Sequence, residues 1–78
     1  GRAMVAWNVS VAGPVSLKVF DASGREVRSL VARDMPAGRY TEAWNGRAND
    51  GSAVAPGVYF VKLLSGGNAH RQKLVVAK

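Results

Sequence analysis

Trp44-Asn45-Gly46-Arg47-Ala48-Asn49-Asp50-Gly51-Ser52-Ala53-Val54-Ala55-Pro56-Gly57-Val58-Tyr59-Phe60 is the stretch whose reading decides the fold. It opens on a large aromatic at the end of a short alternating run and passes through Asn45-Gly46 and Asp50-Gly51. It then leaves Pro56-Gly57 for the apolar run Val58 to Leu64. Asn-Gly and Asp-Gly adopt positive φ at little cost, and Pro followed by Gly interrupts whatever precedes it. The stretch therefore predicts strand, long turn, strand, and with them a β-sheet protein. Nothing in it has the chemistry of a catalytic site.

Upstream of this turn, Ala3, Val5, Trp7 and Val9 alternate with Met4, Ala6, Asn8 and Ser10, the period of a half-buried strand. Val15, Leu17 and Val19 repeat the pattern after Gly13-Pro14. Asp21-Ala22-Ser23-Gly24 carries the Asp and Gly of a type I turn. A third strand is predicted over about Glu26 to Val31, with Val27 and Leu30 turned inward, and Arg33 to Gly38 reads as a connection between sheets. Arg39 to Trp44 is extended again, with Tyr40 and Trp44 on one face and the carboxylate of Glu42 between them. Downstream, Val58 to Leu64 is apolar on both faces except at Lys62, as expected of a central strand covered on each side. Ser65 to Asn68 predicts a hairpin turn and His70 to Lys78 a closing strand. Six or seven short strands with frequent turn signals and no helical period indicate an antiparallel β-sandwich spanning residues 1–78 as one domain.

Size and charge narrow the function classes. A 78-residue chain without cysteine has neither disulfides nor thiolate metal sites to add to its core. The core rests on its rings: Trp7, Trp44, Tyr59 and Phe60 can each remove ~150–250 Å² from water. Eleven Lys and Arg against five Asp and Glu leave a formal charge of +6. The basic residues are dispersed along the chain, with no run and no interleaved aromatic ladder, which fits a solvated surface rather than a nucleic-acid site. No apolar run reaches the ~20 residues of a membrane span, and no basic-then-apolar leader opens the chain, so it reads as a mature or excised piece.

The residues now form a recognisable set. Val15-x-Leu17-x-Val19-Phe20-Asp21-x-x-Gly24-Arg25-x-Val27-x-x-Leu30 resembles a block of the immunoglobulin-like domains related to that of the flagellar hook-capping protein FlgD. Ala37-Gly38-x-Tyr40, Trp44-Asn45-Gly46-Arg47-x-x-x-Gly51 and Gly57-Val58-Tyr59-Phe60 are similar to the family's next block, and Lys73-x-x-Val76-x-Lys78 to its closing strand. The resemblance implies a sandwich of about seven strands, immunoglobulin-like or fibronectin-like, of a kind found at the C-terminus of secreted bacterial proteins. Such modules are similar to sorting domains of type IX secretion. Trp44, Gly46, Gly51, Gly57, Tyr59, Asp21 and Gly24 are then structural signature positions, as are Gly38 and Lys78. Two departures from the family pattern are Glu42, where an apolar or small residue is usual, and Asn45, where Asp is commoner.

The implied function is a non-catalytic accessory module of a secreted bacterial protein, acting in sorting, surface anchoring or assembly outside the cell or at its surface. It needs no cofactor, and its partners are proteins. Phe20, Phe60 and Lys78 are the expected interaction surface. A glycan-binding module attached to a hydrolase is the alternative, with Trp7, Tyr40, Phe20 and Phe60 as candidate stacking rings, although packing in the core or against a second sheet is the expected fate of Phe20 and Phe60. A fragment of a hook-capping protein is a further one. His70 has no cysteine or carboxylate near it in sequence and reads as a surface residue. Asp21, Asn49 and Asp50 offer oxygen ligands for calcium, or equally serve turn geometry. Glu42 could sit beside an isopeptide joining Lys18, Lys62 or Lys73 to Asn8 or Asn45, or lie exposed at a sheet edge.

Overall fold

The computed structural model describes residues 3–77. It contains strands β1 (Ala3–Val9), β2 (Gly13–Asp21), β3 (Glu26–Met35), β4 (Gly38–Trp44), β5 (Gly57–Ser65) and β6 (Asn68–Val76). They form a two-stranded sheet, β1-β4, and a four-stranded sheet in the order β3-β2-β5-β6. Every pairing is antiparallel. The expected sandwich is present with six strands rather than seven among the described residues.

Period-two alternation places the core. Val5, Trp7 and Val9 of β1 face Val15, Leu17 and Val19 of β2 and Tyr59, Val61 and Leu63 of β5, and all are buried. Trp44 closes the core from β4 and is 1% exposed. Because two strands cannot cover four, β6 contributes only half-buried residues, Leu74 and Val76.

Three expectations change or gain detail. First, β3 runs on to Met35, so the connection to β4 is only Pro36 and Ala37. The pairing with β2 slips twice: Leu17 is opposite Val31 and Lys18 opposite Ser29, then Val19 is opposite Arg28 and Phe20 opposite Glu26. Leu30 and Val27 are the extra residues of two bulges, and each bulge reverses the in/out alternation. That is why the apolar positions 27, 30, 31 and 35 show no period of two, although Val31 and Met35 are buried.

Second, the long turn expected between Trp44 and Gly57 is present and is itself folded into a small hairpin. Arg47 bridges to Ala53, the Val54 N–H donates to the Gly46 carbonyl at 2.9 Å, and the Ala48 N–H donates to the Ser52 carbonyl at 2.8 Å. Third, β5 is central in its sheet but covered on one side only, for Val58 and Leu64 are exposed. The Ser65–Asn68 turn matches expectation: Ser65 and Asn68 pair, and Gly66 and Gly67 take the positive φ values, 57° and 79°, that a two-residue hairpin loop requires.

Candidate interaction surface

Trp44, Gly46, Gly51, Gly57, Tyr59, Asp21 and Gly24 lie at the end of the sandwich where the hairpin folds over, whereas Gly38 starts β4 at the other end. The Trp44 and Tyr59 rings meet edge to face, with centroids 5.5 Å apart. The Trp44 indole N–H donates to the Arg47 carbonyl at 2.9 Å, and the Tyr59 hydroxyl donates to the Ala55 carbonyl. Gly46 is buried beneath this lid with φ of 73°, a left-handed value that only glycine adopts freely. The hairpin tip then docks on the free edge of β3. The Asn49 N–H donates to the Val27 carbonyl and the Ser29 N–H to Asn49 Oδ1, each at 2.9 Å, while Asn49 Nδ2 donates to Glu26 Oε2 at 3.2 Å. An exposed edge is thereby covered.

One carboxylate oxygen of each aspartate weighed for calcium is engaged in its own turn, and the Asn49 oxygen is engaged by β3. Asp21 Oδ1 accepts from the Ser23 hydroxyl at 2.6 Å, the Ser23 N–H at 2.9 Å and the Arg25 N–H at 3.0 Å. Asp50 Oδ1 accepts from the Ser52 hydroxyl at 2.6 Å and its N–H at 2.9 Å. The serine hydroxyls are the main cause that lowers both carboxyls below the ordinary aspartate value, and the Arg25 N–H adds to the effect at Asp21. Gly24 and Gly51 close two copies of one turn, each donating its N–H back three residues, to the Asp21 and Ala48 carbonyls.

His70 lies on β6 and lines an open cleft of about 510 Å³ between β1 and β6, together with Trp7 and Gln72 and without an acidic lining residue. Trp7 is buried against Tyr40, the rings stacked at 5.7 Å, and its indole nitrogen has no hydrogen-bond partner among the described residues. It offers no surface platform for a sugar. Glu42 is half-buried on β4 opposite Val5, and the lysines weighed as its partners lie on the outer face of the other sheet. Of these, Lys18 forms an ion pair with Glu26 at 3.2 Å.

That outer face brings together residues that are scattered in sequence. Strand register sets Phe20 opposite Phe60 and Phe60 opposite Lys73. The adjacent row sets Lys18 opposite Lys62 and Lys62 opposite Arg71. The two phenylalanines are half-buried with no second sheet over them, contrary to the packing expected for them. The Arg71 guanidinium lies 5.1 Å from the Phe60 ring centroid, within range of a cation–π contact. A depression of about 250 Å³ runs between these side chains and the Asp21–Gly24 turn. Lys78, the third residue of the expected surface, lies outside the described residues. The basic cluster was invisible in the linear sequence because its members come from three strands; only their position between buried neighbours, as for Lys18 and Lys62, marked them as outward-facing.

Fold and surface define an immunoglobulin-like sandwich with one uncovered, basic and aromatic sheet face. The chain belongs to the FlgD Ig-like domain family, whose sequence profile matches residues 1–68. Among solved structures it is similar to FlgD of Xanthomonas campestris, whose structure is described as giving insights into the hook capping essential for flagellar assembly, with 28% identity, a TM-score of 0.73 and 96% of this chain covered. It is also similar in fold to FlgD of P. aeruginosa, with 22% identity, a TM-score of 0.69 and 94% of this chain covered. The chain spans 55% and 58% of those two chains, little more than half their length. No curated protein matches it.

Proposed function

We propose that this chain is the immunoglobulin-like module of a flagellar assembly scaffold of the hook-capping kind, a non-catalytic element that docks other proteins through its sheet surface outside the cytoplasm. The family match over residues 1–68 carries this reading. The fold adds support, since its core is filled by side chains, and an uncovered sheet face with free strand edges suits recognition by surface. The sorting and surface-anchoring role rests on sequence resemblance alone, whereas both structural relatives are FlgD proteins, so assembly is the reading adopted. Deleting residues 3–77 from the parent gene in its native bacterium is expected to abolish hook formation in electron micrographs while leaving the truncated protein detectable. Hooks of normal number and length in the deletion strain would overturn the proposal.

A further inference from the structure

We infer that the outer face of β2, β5 and β6 receives an acidic protein segment, whose carboxylates neutralise the Lys18–Lys62–Arg71 row and whose apolar side chains cover the phenylalanine row. This names the partner chemistry of the assembly role and rests on that reading.

The row is the observation. Residues directly opposite on antiparallel strands hold their Cβ atoms ~4.5–5.5 Å apart, and like charges placed so are destabilising. Here three cations stand abreast across three adjacent strands, with Lys73 one row away. Intramolecular relief is small. Glu26 pairs with Lys18, and Asp21 turns Oδ1 into its own loop. A sheet that breaks its local pairing rule with one carboxylate against three cations points to a ligand that supplies the missing charge.

The apolar surroundings select the class of ligand. Val58, Leu64 and Val75 are 39%, 44% and 65% exposed on this sheet. By register, Val58 is opposite Val75, and Leu64 lies two residues from Lys62 on the same strand face. A nucleic acid or sulfated glycan would match the cations but leave this aliphatic surface in water. Arg71 already lies over the Phe60 ring, so a base or sugar cannot stack there without displacing it. A polypeptide with carboxylate and aliphatic side chains two residues apart satisfies both rows, because residues i and i+2 of an extended chain share a face and the two rows are themselves two residues apart along β5.

The probe is a capped decapeptide in which glutamate and leucine alternate at every second position with serine between them, titrated into the 78-residue chain and followed by amide NMR. Expected are saturable shifts concentrated in β2, β5 and β6, weakened at least tenfold in the K62E/R71E double variant. The Trp44 indole signal reports whether that variant is folded. The single variant K62E should also raise Tm by roughly 2–5 °C, since it turns two repulsive pairs into attractive ones. Shifts centred on β1 and β4, undiminished binding by the folded double variant, or equal binding of a lysine–leucine decapeptide would each overturn the inference. So would tighter binding of duplex DNA or a heparin oligosaccharide. No peptide binding alongside lost hooks in the deletion strain overturns the partner chemistry alone; peptide binding alongside normal hooks overturns the assembly reading.

Discussion

At the scale of single residues, Trp44 carries the largest individual consequence. It is among the largest fully buried side chains, its ring meets Tyr59, and its indole N–H satisfies the Arg47 carbonyl at the root of the hairpin. Truncating a buried Trp to Ala typically costs ~3–5 kcal/mol, against the ~5–15 kcal/mol of a whole domain. Trp44→Ala is therefore expected to leave the chain largely unfolded at 37 °C by circular dichroism; a melting midpoint equal to wild type refutes this. The two turn aspartates give a second prediction. Both carboxyls titrate below their ordinary value because Ser23 and Ser52 hold the charged form. A depressed folded pKa contributes stability that is present above the unfolded value near ~4 and lost as pH falls through the folded one. The D21A/D50A double variant is expected to show a flatter acid limb in urea unfolding between pH 5 and pH 2 than wild type, and an identical limb refutes the assignment.

At the scale of elements, the hairpin between β4 and β5 and the bulged strand β3 form one unit. Asn49 joins them by two side-chain bonds, one accepting from the Ser29 N–H and one donating to Glu26. Asn49→Ala is expected to cost about 1 kcal/mol, the size of one or two net hydrogen bonds. Hydrogen exchange is expected to speed up at Ser29 and not at the central β2 amides; unchanged protection at Ser29 counts against the docking. The parts of this unit differ in how far they could be read. Asp50-Gly51 and Asp21-Gly24 declared their turns because only certain residues take those backbone angles at low cost. The length of β3 stayed hidden because each bulge inserts a residue and inverts the pattern that periodicity depends on, and whether a strand bulges is decided by its partner. The role of Asn49 was hidden for a related reason, since the bonds it makes span 20 and 23 residues of chain.

At the scale of the molecule, the excess of cations has a physical consequence and a spatial one. A formal charge of +6 on 78 residues repels itself when folded compactly, and salt screens that repulsion. Raising sodium chloride from about 0.05 to 0.5 M at pH 7 is expected to raise Tm by a few degrees. A fall would show that attractive pairs such as Lys18–Glu26 outweigh the repulsion. The candidate surface belongs to this scale too. Phe20 and Phe60 could be picked out as the pair facing away from the core, but their fate as a bare face followed from the imbalance between a two-stranded and a four-stranded sheet. The linear chain determined the class of fold, the inward set of β1 and β2, the turns and the anchors Trp7, Trp44 and Tyr59, because period-two burial and glycine-specific backbone angles are local properties. Only the tertiary structure decided which strand lies beside which. Register across β2, β5 and β6 is a long-range pairing, and it alone turned dispersed lysines and arginines into a row of charges beside two phenylalanines.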